Sequence, residues 1–298
     1  MAEVKGKSLR IRGKKILTFS FSNTLRMIFL TLLACFMIMP LIYVVSTALK
    51  PLDELFLFPP RFFTRRPNFS NFSDLFNALD GSEVPFLRYI FNSLFTAICS
   101  VAGTVIVCCM GAYGLVKHRP KGGNVIFALV LAALMFSGQV TTIPSYLVIK
   151  NLGLLNTYWA LIIPKLAVAF NFFLVKQFLE QMPESYLEAA RLDGANEWQI
   201  FWKIVMPHIK SATATLVVFS FTSAWNDYLG PVIYISNNAL KTLPLAVQTI
   251  SGGVGASSLS TAGAMAAATF ITILPTIVVY TAMQGKVMNA MAHSGIKE

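Results

Sequence analysis

The chain has 298 residues, of which 55% are hydrophobic and only 12% are charged, and its mean hydropathy is +0.64. Water-soluble domains carry about 25% charged residues, so this chain has too few to cover a globule of its size. Its 24 Phe, 9 Tyr and 4 Trp also exclude a disordered chain. A membrane protein remains. In that class a net charge of +11 indicates basic cytoplasmic loops and not a nucleic-acid site.

Cysteine and histidine positions indicate no chemistry. All four cysteines lie within long apolar runs, which favours small core residues over disulfides or a metal site: Cys35, Cys99, Cys108 and Cys109. The three histidines are scattered, and the chain contains no phosphate-binding loop, zinc-protease motif or nucleophile elbow. We therefore predict no catalytic residue, no metal site and no cofactor in this chain.

Six apolar runs are long enough to cross a bilayer core of about 30 Å as helices. They predict an all-α polytopic membrane protein with a basic amino-terminal tail (1–26), a membrane domain (27–285) and a short tail (286–298). The predicted spans are about 27–49, 89–116, 124–149, 155–178, 211–235 and 262–284. The first run is longer than the apolar core of a secretory signal, which has roughly 7–15 residues, so we expect an uncleaved anchor.

Basic residues predict the orientation of the spans. Sixteen of the 24 Lys and Arg lie in four segments that share one side if both ends are cytoplasmic: 1–26, 117–121, 176–210 and the tail after Gly285. Seven lie on the other side, and Lys165 lies within the fourth span. Cytoplasmic loops of membrane proteins carry this excess of Lys and Arg. We therefore predict that both termini are cytoplasmic.

The longest polar insert on that side, 181–207, has the pattern of a helix, a turn and a second helix. Pro183 suits the start of the first helix, and Glu188 can pair with Arg191 one turn later. Gly194 then ends the helix, because glycine adopts the left-handed conformation of a helix C-cap. Asn196 can cap the second helix, and Pro207 ends or kinks it before span five.

The sequence of this segment resembles the EAA signature of ABC importer permeases. Glu188-Ala189-Ala190 is followed after three residues by Gly194, and after nine more by Ile204-Val205-Met206-Pro207. Only Met206 departs from the family's E-A-A, three, G, nine, I-x-L-P pattern. The match covers 20 positions at fixed spacing. The chain is thus identified as resembling a permease of that family.

Other segments narrow the resemblance to carbohydrate importers. The run Gly138–Tyr146, the run Leu152–Thr157 and the motif from Trp225 to Pro231 are similar to the third-to-fourth and fifth spans of sugar permeases. Their order and the six-span layout resemble the smaller permease of the maltose importer class. The ending Gln284-Gly285-Lys286-Val287 departs from that family's Gln-Lys-Tyr-Phe-x-x-Gly, which leaves the subfamily open.

The resemblance implies a transport subunit and not an enzyme, in the bacterial inner membrane. Its implied partners are a second permease (a different chain), two ATPase subunits that bind ATP and Mg, an extracytoplasmic solute-binding protein and a sugar. The EAA helix would seat in an ATPase cleft through the residues Glu188, Ala189, Ala190, Arg191, Asp193 and Gly194. The charged side chains would make polar contacts, the alanines would allow close approach, and the glycine would reverse the chain.

Three residues within the spans are candidates for the substrate path. Lys165 follows Pro164, and it is either a cation facing an acidic sugar or phosphate, or a structural partner of Asp227 or of free carbonyls at the break. It would instead lie nearer the membrane interface if that helix begins after Pro164. Trp225 and Asn226 could stack on and hydrogen-bond a sugar, although an interfacial anchor explains the tryptophan equally well. The loop with Gly252, Gly253 and Gly255 is flexible by composition. The resemblance implies that it contacts the solute-binding protein.

Two other transport functions remain open at this point. The EAA segment is shared with ABC permeases for non-sugar solutes such as peptides and amino acids. An ion-coupled secondary carrier would need no ATPase, but the two halves of the sequence have no detectable repeat.

Overall fold

The computed structural model describes residues 21–55, 57–80, 84–252 and 261–295. Over these ranges the chain forms helices joined by short turns, with no strand. A 3₁₀ helix at Ile163–Lys165, a π-helix at Phe201–Val205 and a 3₁₀ helix at Asn238–Leu240 interrupt the α-helices. The α-helices are α1 Phe21–Ala48, α2 Leu52–Leu55, α3 Ser70–Asp80, α4 Phe86–Lys117, α5 Gly123–Leu134, α6 Gly138–Asn151, α7 Tyr158–Ile162, α8 Ala169–Glu180, α9 Ser185–Leu192, α10 Glu197–Ile200, α11 Met206–His208, α12 Lys210–Trp225, α13 Leu229–Tyr234, α14 Leu243–Gly252 and α15 Thr261–Gly295.

Three straight helices and three bent pairs make up the predicted six spans. Within α1, α4 and α15, the stretches Thr24–Ala48, Phe86–Lys117 and Ala262–Met288 are each long and apolar enough to cross a membrane. The bent pairs are Gly123–Leu134 with Gly138–Asn151, Tyr158–Lys165 with Ala169–Glu180, and Glu197–His208 with Lys210–Trp225. The all-helical, six-span class is thus confirmed, with each pair contributing one span. In the last pair the helix that corresponds to predicted span 211–235 is Lys210–Trp225, since Glu197–His208 lies almost wholly in the polar segment 181–207.

The predicted third span, 124–149, is two helices and not one. α5 and α6 meet at an angle of 115° across the break Met135–Ser137. Ser137 is extended, with φ −74° and ψ 149°, and Gly138 begins the next helix. Adjacent Ser and Gly are poor helix formers and a common cause of kinks, which explains why an unbroken apolar run does not form a straight helix.

The predicted fourth span, 155–178, bends by 42° at the break Leu166–Val168, just after the 3₁₀ helix that contains Pro164. Such a break leaves the last carbonyls of the first helix without a helical N–H partner, which is unfavourable in a membrane interior. Thr104 of α4 donates its hydroxyl to the Lys165 carbonyl at 2.7 Å, and the Cys108 thiol lies 3.7 Å from the Leu166 carbonyl. Side chains of α4 therefore provide hydrogen-bond donors for the carbonyls at this break.

The last two predicted spans have different limits from those expected. The helix of predicted span 211–235 ends at Trp225, because Asp227 accepts the backbone N–H of Gly230 at 2.9 Å and so favours a turn over a continued helix. Predicted span 262–284 continues as helix to Gly295, since the residues after Gln284 contain no proline to stop it.

Packing divides the bundle into two ends, which are named here for use below. At the coupling end, where α4 and α8 finish and α12 begins, a buried cluster joins these helices to the segment 185–209: Cys109, Ala112, Val175, Leu179, Leu187, Ile200, Val205, Ala212 and Leu216 are among its members. At the far end, a second cluster joins α3, α4, α12, α14 and α15, with Leu75, Phe86, Phe221, Trp225, Leu243 and Ala267 among its members.

Asn92 holds the far end together. Its side chain is fully buried and donates to the Ala239 and Lys241 carbonyls at 2.9 and 2.8 Å, while Tyr158 donates to its Oδ1 at 2.7 Å. The neighbouring Ser93 hydroxyl accepts the backbone N–H of Leu243 at 2.7 Å. These bonds tie α4 to α7 and to the start of α14, so α14 has a fixed place at the far end.

Two parts of the bundle expose their apolar side chains. α1 touches the rest of the chain mainly through α15, and α5 has no buried residue. Among the cysteines, Cys108 and Cys109 are buried as predicted, but Cys35 lies exposed on α1. The prediction for Cys35 was wrong, because an apolar run in a membrane protein can face lipid as readily as a core.

Candidate functional site

The coupling segment has the predicted helix-turn-helix form. α9 ends at Leu192, Asp193 is its C-cap, and Gly194 follows with φ +79°. A residue with that φ is left-handed, which glycine adopts without a steric penalty. Asn196 then caps α10, because its Oδ1 accepts the Gln199 N–H at 2.8 Å while the Gln199 side chain accepts the Asn196 N–H at 3.1 Å. Both predicted helix-end signals are confirmed.

One face of the segment is anchored in the membrane domain. Leu187 and Ala190 of α9, together with Ile200 and Val205 beyond the turn, are buried in the coupling-end cluster beside α4, α8 and α12. Ala190 has only 6% of its surface exposed. Its small side chain therefore lets α9 approach the bundle, whereas the resemblance implied an approach to the ATPase.

Glu197 connects the segment to α4, which sequence reasoning did not predict. The Tyr113 hydroxyl donates to Oε2 of Glu197 at 2.7 Å, and Arg191 Nε donates to Oε1 at 3.0 Å. His118 Nε2 lies 3.6 Å from Oε2. The pKa of Glu197 is lowered, first by the Tyr113 hydrogen bond, against a smaller opposing effect of burial, and then by Arg191. The expected pair of Glu188 with Arg191 is replaced by this one.

The opposite face of the segment is free. Glu188, Ala189, Asp193 and Gly194 are all exposed. Leu192 has 89% of its surface exposed, and Tyr186 of the same helix is also exposed. These two apolar side chains were missed in the sequence, although Leu192 lies four residues after Glu188 and thus on the same helix face. The sequence signal that could have indicated an exposed apolar contact here was an apolar residue on the polar face of a helix, next to a turn.

A second set of contacts holds the beginning of the segment. Arg119, in the turn between α4 and α5, pairs with Glu184 at 2.6 Å, and Lys117 donates to the Met182 carbonyl at 2.7 Å. Together with the Lys176–Glu180 pair on α8, these residues line an open cavity of about 570 Å³. The charged groups of this cavity are thus engaged with each other and with the backbone.

Within the spans, Lys165 and Asp227 form an ion pair. Lys165 Nζ lies 2.6 Å from Asp227 Oδ2, and each side chain is 20% exposed. Asp227 Oδ1 accepts the Gly230 N–H, and a Cβ added at Gly230 would lie 2.4 Å from Asp227 Oδ2. Of the alternatives for Lys165, the structure shows the contact with Asp227, and the absence of a Cβ at Gly230 leaves room for the Asp227 carboxylate. A role of Lys165 in the substrate path stays a prediction.

The two residues of the tryptophan-asparagine motif have different places. Trp225 is 2% exposed, its ring is stacked on Phe221, and its indole N–H donates to the Thr272 carbonyl at 2.8 Å. It therefore fixes α12 to α15 and lines no open space. Asn226 is exposed and lines a far-end cavity of about 250 Å³ between α12, α14 and α15.

The glycine-rich loop begins where α14 ends. Gly252 is the last residue of α14, and Gly253 and Gly255 lie outside the described residues. The described part of the chain contains no cluster of His, Cys, Asp or Glu that could hold a metal ion. The role of the three glycines stays a prediction.

Comparison with known proteins gives consistent matches. The family described as "Binding-protein-dependent transport system inner membrane component" matches residues 15–285. The sn-glycerol-3-phosphate transport system permease protein UgpE of Yersinia enterocolitica serotype O:8 / biotype 1B is 33% identical over 215 residues, covering 72% of this chain and 76% of UgpE. The lactose transport system permease protein LacG of Rhizobium radiobacter is 31% identical over 226 residues, covering 76% and 80%.

A solved structure matches the fold. It is a bacterial ABC transporter involved in the import of the acidic polysaccharide alginate, with a TM-score of 0.77 and 24% sequence identity, over 89% of this chain and 96% of that chain. At this identity the likeness extends to the backbone arrangement. The overall fold described above therefore belongs to a known architecture.

Proposed function

The chain belongs to the binding-protein-dependent transport system inner membrane component family, and from that premise we propose that it is a permease subunit of an ATP-driven importer of a sugar or oligosaccharide. Members of this family are transport components and not enzymes. The lactose permease similarity and the match to an alginate importer support a carbohydrate, and the UgpE similarity is to a permease for a phosphorylated polyol. A non-sugar solute and an ion-coupled carrier are the less favoured alternatives.

The observation that carries the proposal is the two-sided coupling segment. Its inner face is buried against three membrane helices, while Glu188, Leu192 and Asp193 stand exposed on its outer face. A short helix held in this way transmits a rigid-body displacement to the spans that it contacts. The outer face offers two carboxylates and an apolar side chain to a partner, as a docking helix requires.

In this proposal two cytoplasmic ATPase subunits bind ATP and Mg, and their closure moves the coupling segment. Glu197 then passes the motion to α4 through the Tyr113 hydroxyl, and buried side chains pass it to α8 and α12. The substrate path would then open alternately to the outside and to the cytoplasm, as in rigid-body alternating access. The coupling end would accordingly face the cytoplasm, with both termini on that side.

The remaining partners fit the exposed surfaces. A second permease, a different chain, and the lipid bilayer would cover the apolar faces of α1, α5 and α6. A solute-binding protein would dock at the far end and deliver the sugar there, with the loop of Gly252, Gly253 and Gly255 as a candidate contact. No nucleic acid is expected, since the basic residues are distributed as membrane topology requires.

Affinity purification of the tagged chain from its native membrane tests the proposal. The expected result is co-purification of an ATPase and a second permease. After reconstitution in proteoliposomes, sugar uptake should require both ATP and the solute-binding protein, and a protonophore should leave it unchanged. Purification without an ATPase, or uptake driven by an ion gradient in the absence of ATP, would contradict the assignment.

A further inference from the structure

The far-end cavity beside Asn226 has the composition of a small-ligand site. It has a volume of about 250 Å³ and lies between the end of α12, α14 and α15. Polar side chains from all three places line it, together with apolar groups such as Val247 and Ile273. The polar residues are Asn226, Tyr228, Gln248, Thr269 and Thr272. Pockets for drug-sized ligands are about 300 Å³ or more, so this cavity suits a single sugar ring.

Hydrogen bonds within the wall leave oxygen acceptors for a ligand. Thr269 and Thr272 each donate their hydroxyl proton to their own helix, to the Met265 and Ala268 carbonyls at 2.8 Å. Asn226 Nδ2 donates to the Thr222 carbonyl at 3.0 Å, which orients the carboxamide, and its Oδ1 has no partner among the described residues. Oxygen acceptors of this kind match the O–H donors of a sugar. A carboxylate or phosphate brings only acceptors.

The charges near the cavity cancel. None of its lining residues within the described chain is an acid, a Lys or an Arg. Lys165, the candidate cation of the predicted substrate path, is held at 2.6 Å by Asp227, which is adjacent in sequence to both Asn226 and Tyr228. An anion entering the cavity would therefore lose its water shell without gaining a counter-charge, which is unfavourable.

Tyr228 adds a surface for the apolar face of a sugar. The residue is 47% exposed, and it lines the cavity together with Val247. The C–H face of a pyranose packs on an aromatic ring, while the phenol hydroxyl can donate to a ring substituent. The wall behind is rigid, because Trp225 joins α12 to α15 through the Thr272 carbonyl.

We propose that this cavity is a subsite for one neutral sugar residue of the transported substrate, with Asn226 and Tyr228 as its main contacts. The inference rests on the proposed function and narrows its substrate class. Similarity alone does not choose, since the related proteins include permeases for lactose and for glycerol phosphate and an importer of an acidic polysaccharide. The uncharged, hydrogen-bonding lining of the cavity favours a neutral sugar over an anionic substrate.

Thiol protection in the complete reconstituted importer tests the subsite directly. Val247→Cys, which lines the cavity and is not one of the two main contacts, is introduced with the more accessible native cysteines replaced by serine (Cys35 and Cys99). Its labelling rate with a small maleimide is measured. The probes are lactose and maltotriose as neutral sugars, and digalacturonate and sn-glycerol 3-phosphate as anions. At least one neutral sugar should slow labelling several-fold, and neither anion should. Asn238→Cys, exposed at the same end and outside the cavity, is the matched control.

Equal or greater protection by an anion overturns the neutral-sugar assignment, and protection by none of the four probes overturns the subsite. Uptake by the unsubstituted importer is measured in parallel, so that a failure of ATP-dependent transport is separated from a failure of the subsite.

The variants Tyr228→Phe and Tyr228→Ala provide a second measurement, the KM for uptake. We expect the alanine variant to raise KM for the neutral sugar about tenfold and the phenylalanine variant to raise it less, because the ring face is kept. Identical KM values in the unsubstituted importer and in both Tyr228 variants would contradict the stacking contact.

Discussion

Arg191 and Glu197 meet across the turn of the coupling segment, where both Nε and Nη2 of Arg191 lie 3.0 Å from Oε1 of Glu197. The other carboxylate oxygen of Glu197 accepts the Tyr113 hydroxyl from α4. One side chain thus joins the end of α9, the start of α10 and a membrane helix. Because these bonds link both sides of the turn at Gly194 to α4, the segment can move with α4 as one unit.

Replacing Glu197 with alanine should uncouple the importer. Arg191 and Tyr113 would lose their shared acceptor, so the ATPase stroke would displace the turn without displacing α4. We expect sugar transported per ATP hydrolysed to fall about tenfold, while the ATPase still co-purifies. Glu180→Ala removes an exposed carboxylate at the same end and is the control. An unchanged transport ratio in Glu197→Ala would contradict the connection.

The same carboxylate gives a pH prediction. The pKa of Glu197 is lowered from its ordinary 4.5, chiefly by the Tyr113 hydrogen bond, so the folded state favours the ionised form. Its contribution to stability is complete above pH 4.5 and is lost as pH falls through the lowered pKa. The Tm difference between the unsubstituted chain and Glu197→Gln in detergent should be constant from pH 6 to 8. It should shrink below pH 4.5, and a difference that grows on acidification would contradict the sign.

Gly194 allows conformation and charge to be tested separately. Its φ of +79° makes alanine unfavourable by about 1–2 kcal/mol, whereas Asn and Asp tolerate this conformation. No atom lies within 4 Å of an added Cβ, so the chain itself has room. We expect Gly194→Asp to abolish uptake with membrane insertion intact, since it places a second carboxylate beside Asp193 in the ATPase cleft. Gly194→Asn, which has the same shape, should retain most uptake. Normal uptake by the aspartate variant would refute the docking role.

The Lys165–Asp227 pair should behave as a structural unit. Lys165→Gln leaves an uncompensated carboxylate, which should cost roughly 2 kcal/mol, less than a fully buried pair because a fifth of each side chain is exposed. We expect uptake of neutral and anionic sugars to fall alike, and the double variant Lys165→Gln, Asp227→Asn to recover thermal stability. Fluorescence-detected unfolding and uptake measure both effects. A selective loss of anionic sugar uptake would restore the charge-selection role.

Leu192 is predicted to be an ATPase contact. It is 89% exposed at the end of α9, so Leu192→Glu should leave the fold unchanged and prevent co-purification of the ATPase. The reason is that a buried interface must desolvate the new charge. Ser185→Glu places the same charge at the exposed start of α9, where the helix dipole favours it, and serves as the control. Full ATPase recovery with Leu192→Glu would contradict the contact.

Local signals in the sequence determined much of this molecule. Apolar runs and their flanking basic residues predicted six spans, because hydropathy reports directly on residence in lipid. The helix ends at Gly194 and Asn196 were predictable, since a left-handed glycine and a capping asparagine act within a few residues of their own position. The EAA spacing predicted which segment would contact an ATPase, because that signature is a local pattern of fixed spacing.

Tertiary structure alone decided the partners of the charged and aromatic residues. Arg191 had Glu188 within reach on its own helix, yet it pairs with Glu197 because the turn at Gly194 brings that carboxylate back beside Tyr113. Lys165 and Asp227 lie 62 positions apart, and the sequence left their contact as one of several alternatives until packing brought the two side chains together. The burial of Trp225 likewise depends on how α12 packs on α15. Periodicity and composition record the environment of a residue. The choice among several chemically suitable partners follows from packing, which only the assembled helices specify.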